Sequence, residues 1–185
     1  MAKPRIRIYD IGALLLTLFA TFIQLGGCFI PNWWTYKSLD GKVLVIGIIK
    51  ADGCDQLGRC EQTIINIDGG KEWLFMTRIF ELFGVILCLV ATIVHIIFVP
   101  TRNYNIRSIA IYALGAGGLF ILAGAFIFVA MYNDLRTNVP PLGSQYVGPG
   151  FGLCIVSGLL TIAASIFTGF VTVKKGDDYY NNLIQ

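Results

Sequence analysis

Two cysteines, Cys54 and Cys60, stand with five residues between them in the polar, turn-rich stretch ADGCDQLGRCEQ, residues 51–62. Paired thiols can hold a metal ion, cycle as a redox couple or close a disulfide. A structural zinc ion wants four ligands, and this stretch has no histidine and no third cysteine. A redox couple is usually spaced Cys-x-x-Cys. The compartment decides the rest, because disulfides persist on the oxidising side of a membrane and are rare in the cytosol. The elements that position the pair must therefore be found first.

The chain has 185 residues, 56% of them hydrophobic, and a mean hydropathy of +0.71. Charged residues make up 14%, against about 25% in a typical soluble domain. A soluble domain of this size cannot hide so much apolar surface in one core, so the lipid bilayer is the expected solvent. The net charge of +3 offers no basic field for nucleic acid. About 20 apolar residues cross the hydrocarbon core as a helix. Runs at 11–30, 73–99, 109–131 and 149–173 meet that length. Pro149 suits a first helical turn, where its missing N–H costs nothing.

Lys and Arg in short loops set orientation. Lys3, Arg5 and Arg7 precede the first span, Arg102 and Arg107 lie between the second and third, and Lys174 and Lys175 follow the fourth. These segments share the cytosolic side, which puts both termini and the tail 174–185 inside. The loops 31–72 and 132–148 balance their bases with acids and read as outer loops. MAKPRIR, an apolar run and Leu25-Gly26-Gly27-Cys28 imitate a bacterial lipoprotein signal. Three further spans and the matching charge pattern favour a retained first helix.

Cys54 and Cys60 then lie on the oxidising side, and a disulfide is the expected state. Cys28, Cys88 and Cys154 fall within spans and read as small apolar packing. The loop 31–72 is too long for a bare connector and has strand chemistry. WWTYKS leads to Asp40-Gly41, a favoured hairpin turn. KVLVIGIIK follows, rich in β-branched residues. DGCDQLGRC turns the chain again and TIINI returns it. The expected fold is an all-α transmembrane four-helix bundle in one domain, residues 1–185, with a small extracellular antiparallel β-sheet whose second hairpin the disulfide clasps.

This layout resembles the claudin/PMP22-type four-span membrane proteins. Their mark is a Trp soon after the first helix, then Gly-Leu-Trp, then two cysteines. Trp33 or Trp34 in PNWW stands for the first, Gly47-Ile48-Ile49 occupies the place of Gly-Leu-Trp, and Cys54 and Cys60 occupy the place of the pair. Arg78 matches the family's Arg near the start of the second helix. The second Trp is absent, and the cysteine interval is shorter than the family's usual one. The resemblance implies a plasma-membrane protein of cell–cell junctions. Its outer sheet would meet copies of itself or related four-span proteins, in the same and the facing membrane, and form a paracellular barrier or small pores. In claudins, charge just after the cysteines tunes which ions pass. Asp55 and Glu61 hold those positions here, so a pore would favour cations. The runner-up is an auxiliary subunit of an ion channel or receptor, as in the related gamma-type and accessory tetraspans. A third reading is a PMP22-like membrane organiser. The C-terminal Leu-Ile-Gln departs from the Tyr-Val ligand for PDZ scaffolds.

Arg78 and Glu81 are spaced i,i+3 and can pair on one helix face. Leu82 to Val99 already spans about 27 Å at about 1.5 Å per residue, so the pair is expected at the outer interface, bracing the sheet. His95, the sole histidine, is expected to pack. Small residues in the third and fourth spans are expected to let helices approach closely in lipid. Tyr180 to Leu183, YNNL, has the form of a tyrosine-based sorting signal. No segment gathers a nucleophile, a base and an orienting group. Neither an enzyme, a cofactor nor a metal site is expected.

Overall fold

The computed structural model describes residues 8–30, 32–54, 60–64, 72–101, 104–137 and 143–183. The chain runs α1 (Ile8–Phe29), β1 (Trp34–Ser38), β2 (Val43–Ile46), β3 (Lys50–Cys54), β4 (Cys60–Ile64), α2 (Glu72–Thr101), α3 (Tyr104–Thr137), β5 (Gly143–Val147) and α4 (Pro149–Leu183). Four of these helices are long and apolar enough to cross a membrane: Ile8–Phe29, Glu72–Phe98, Asn105–Asn133 and Pro149–Phe170. They fit a multi-pass membrane protein. The helices outrun the apolar stretches that announced them. α3 starts at Tyr104 rather than 109, and α4 carries its backbone helix to Leu183, through Tyr180 and the polar tail.

The bundle is apolar outside and buries polar side chains among its apolar ones. Leu15, Phe19 and Phe22 of α1, Ile86 and Ile93 of α2, Phe126 of α3 and Leu159 and Phe170 of α4 are exposed. Thr17, Thr21, Gln24, Glu81, His95, Ser157 and Thr161 are buried. Lipid supplies no hydrophobic drive to bury Leu or Phe, whereas polar side chains gain by bonding to one another in the interior. α1 packs on α4 and α2, and α3 packs on α2 and α4. The small residues serve these contacts. A Cβ on Gly118 would come within 2.6 Å of Ile162 and 3.0 Å of the Gly158 carbonyl, so α3 and α4 touch backbone to backbone there.

One antiparallel sheet of five strands, in the order β4-β3-β2-β1-β5, covers one end of the bundle. The first turn falls at Asp40-Gly41. Gly41 has φ 78°, Gly41 N–H donates to the Ser38 carbonyl and Ser38 N–H to the Lys42 carbonyl. That is a three-residue connection closed by a left-handed glycine.

Two features correct the sequence expectation. KVLVIGIIK is not one strand. The chain turns at Gly47–Ile49, so Val43 pairs with Cys54 and Ile46 with Ala51, and KADGC is itself a strand. Burial of Ile48 in the core beneath the sheet drives that turn. The loop 132–148 also contributes β5, which pairs along β1 from Trp34↔Val147 to Ser38↔Gly143. Both connections at this end therefore build one surface.

Candidate functional site

The sheet is joined to the bundle by tryptophans on neighbouring positions. Trp33, just before β1, turns down among the helices. Its indole N–H donates to the Gly27 carbonyl at 2.8 Å, and its ring meets Phe128 of α3 and Phe151 of α4 edge-on, with centroids 5.1 and 5.6 Å away. Trp34 stays with the sheet and stacks on Tyr36, two residues along the same strand face. Both are buried. Gly47 is buried at the β2–β3 turn.

In the β3–β4 hairpin Cys54 stands directly opposite Cys60 in the register. Cys54 is disulfide-bonded, and Cys28, Cys88 and Cys154 are free. Asp55 lies outside the described residues. The backbone of Glu61 on β4 pairs with Gly53 on β3; its side chain, like those of Tyr180 and Leu183, lies outside them.

β4 and β5 are the sheet's edges. An edge strand offers unpaired backbone N–H and C=O groups to another chain. On β5, Tyr146 is 53% and Val147 44% exposed.

Arg78 and Glu81 differ in depth on α2. Glu81 is nine residues into α2, about 13 Å along it at about 1.5 Å per residue, and is fully buried. It accepts a hydrogen bond from the Gln24 amide of α1 at 2.6 Å. Its other oxygen has no hydrogen-bond partner among the described residues. Arg78 is half-buried one turn closer to the sheet.

Cys28, Cys88 and Cys154 pack in the buried apolar cluster beneath the sheet, and Cys28 and Cys88 also meet polar side chains. Gln24 Nε2 also reaches Cys28 Sγ at 3.2 Å, and Cys28 Sγ lies 3.9 Å from Glu81 Oε2. Cys154 of α4 closes the group: its sulfur, that of Cys28 and a Glu81 oxygen all lie within 4.8 Å of one another. Cys88 contacts Thr161 Oγ1 at 3.7 Å. The signal for this group was present in the sequence. Thr17, Thr21, Gln24 and Cys28 recur at helical spacing and form one polar stripe along an otherwise apolar α1.

A second polar group lies toward the other end. Arg107 of α3 pairs with Asp10 of α1 at 3.6 Å, both nearly fully buried. It also donates to the Thr168 carbonyl at 2.9 Å and sits 5.2 Å over the Phe98 ring. His95 Nδ1 meets Thr17 Oγ1 at 3.0 Å, and Thr21 meets Thr92 at 3.1 Å.

No protein-family model matches the chain, and no curated protein matches it in sequence.

Proposed function

We propose that this chain is a claudin-like plasma-membrane protein that associates with copies of itself through its sheet at cell–cell contacts. One observation carries the reading: both connections at one end of the bundle fold into a single sheet whose edge strand β5 displays Tyr146 and Val147. In this reading the sheet faces outward. The disulfide at Cys54 fits an oxidising compartment, Cys60 is its partner, and the Lys and Arg that the sequence carries before the first span, between the second and third and after the fourth fit the cytosolic side. A sheet held to the bundle by Trp33 is presented as a rigid surface. Its edges extend by strand pairing to a neighbouring copy, in the manner of β-augmentation. Such an array forms a barrier, or a pore in which Asp55 and Glu61 favour cations.

The test expresses the tagged chain in cells that lack junctions and mixes them with non-expressing cells. The proposal expects enrichment at contacts between two expressing cells and none where only one cell carries the chain. Uniform surface distribution with stoichiometric co-purification of a channel would overturn it in favour of an auxiliary subunit.

A further inference from the structure

Glu81, Cys28, Cys154 and Gln24 converge from α2, α1 and α4 in the interior of the sheet end, and all four are at least 98% buried. Packing alone leaves much of this group unexplained. Among the described residues, Glu81 Oε1 and Gln24 Oε1 have no hydrogen-bond partner. A polar group buried without a partner is costly, and a charge far more so. The groups bonded to the carboxylate, Gln24 and Cys28, carry no positive charge.

We infer that Cys28, Glu81 and Cys154 form a binding site for a divalent metal ion of the zinc class, with Gln24 positioning the carboxylate. The ligand chemistry fits. Zinc takes sulfur, carboxylate and neutral oxygen or nitrogen donors in four-coordinate sites, and thiols select it over magnesium or calcium. Bond lengths of about 2.0 Å to oxygen and about 2.3 Å to sulfur put tetrahedral ligand atoms about 3.3–3.8 Å apart. Cys28 Sγ and Glu81 Oε2 already stand at 3.9 Å, and both sulfurs and the carboxylate lie within 4.8 Å of one another. Gln24 orients these ligands, since its Nε2 donates to Glu81 Oε2 at 2.6 Å and reaches Cys28 Sγ at 3.2 Å, and such orienting partners tune metal sites. Both thiols give up their protons on binding, so the two thiolates and the carboxylate together exceed the ion's charge by one.

The backbone around the group is shaped to admit it. A Cβ on Gly27 would come within 2.5 Å of Cys154 Sγ, and one on Gly124 within 3.0 Å of Glu81 Oε1. Any larger residue at either position would push into the ligands.

The test uses the full chain purified in detergent without reductant, so that the bond at Cys54 is kept. Zinc content is measured after dialysis against zinc, and Co²⁺ is titrated in as a spectroscopic substitute. The expected result is one ion per chain and a sulfur-to-cobalt charge-transfer band in the near ultraviolet. Cys28→Ser and Cys154→Ala should lose both. Gln24→Ala should weaken binding about 10–100-fold. If these variants fail to fold, the wild-type cobalt spectrum decides alone. Absence of that band in monodisperse protein, an unchanged band in Cys154→Ala, or a Cys28–Cys154 disulfide in freshly purified chain would overturn the inference.

Discussion

The bundle buries charge at both ends and handles it in opposite ways. Away from the sheet, Asp10 and Arg107 neutralise each other, and Arg107 spends a further donor on the Thr168 carbonyl. Under the sheet, Glu81 is bonded to a neutral amide and faces two thiols. The first site is closed by the chain's own residues. The second has acceptor atoms to spare and draws its cation from outside. Removing one member should therefore hurt the first site and relieve the second.

The largest expected effect is at the closed site. Arg107→Met leaves Asp10 buried without its partner and should cost about 3–5 kcal/mol, whereas Asp10→Asn with Arg107→Met should recover most of it. Thermal unfolding in detergent, followed by loss of monodisperse protein, measures both. A double variant as unstable as the single would break the comparison.

Trp33→Ala removes the ring that holds the sheet on the bundle, and a large buried aromatic costs about 3–5 kcal/mol when cut to Ala. The sheet should become protease-sensitive while the helices stay folded. Cys54→Ser should cost about 2 kcal/mol by freeing the β3–β4 hairpin and lower surface delivery, read by surface biotinylation. At the open site, Glu81→Gln removes a charge and keeps an amide partner for Gln24. Metal-free protein should unfold within about 1 kcal/mol of wild type, and the stabilisation by added zinc should vanish. A loss as large as that of Arg107→Met would mean that Glu81 has its counter-charge within the chain.

The spans were legible because each is a long, predominantly apolar run, which has one stable solution in lipid. The first hairpin was legible from Asp40-Gly41. The split of KVLVIGIIK was not, since Ile48 buried below a turn and Ile48 within a strand look alike in composition. GSQYV has no alternation of its own; it is a strand because β1 offers it an edge. The tail after Val173 lost the apolar signal, and Gly176, Asp177, Asp178, Asn181 and Asn182 are weak helix formers, so nothing in its composition announced that α4 runs on to Leu183. The buried group at Glu81 was half legible. Its members are spread over three helices, and only packing brings Cys28 to Cys154.

The account turns on the β5 edge as the surface where copies meet. The most direct measurement compares wild type with Tyr146→Lys/Val147→Lys in mixed cell cultures. Both side chains are largely exposed, so the double change should alter stability by no more than about 0.5 kcal/mol per site and leave surface delivery intact. Charge on an edge strand opposes pairing with another edge. The prediction is wild-type enrichment at contacts between expressing cells and at least a severalfold loss of it in the variant. Equal enrichment of both proteins, at equal surface levels, would contradict the claim that this sheet edge joins one copy to the next.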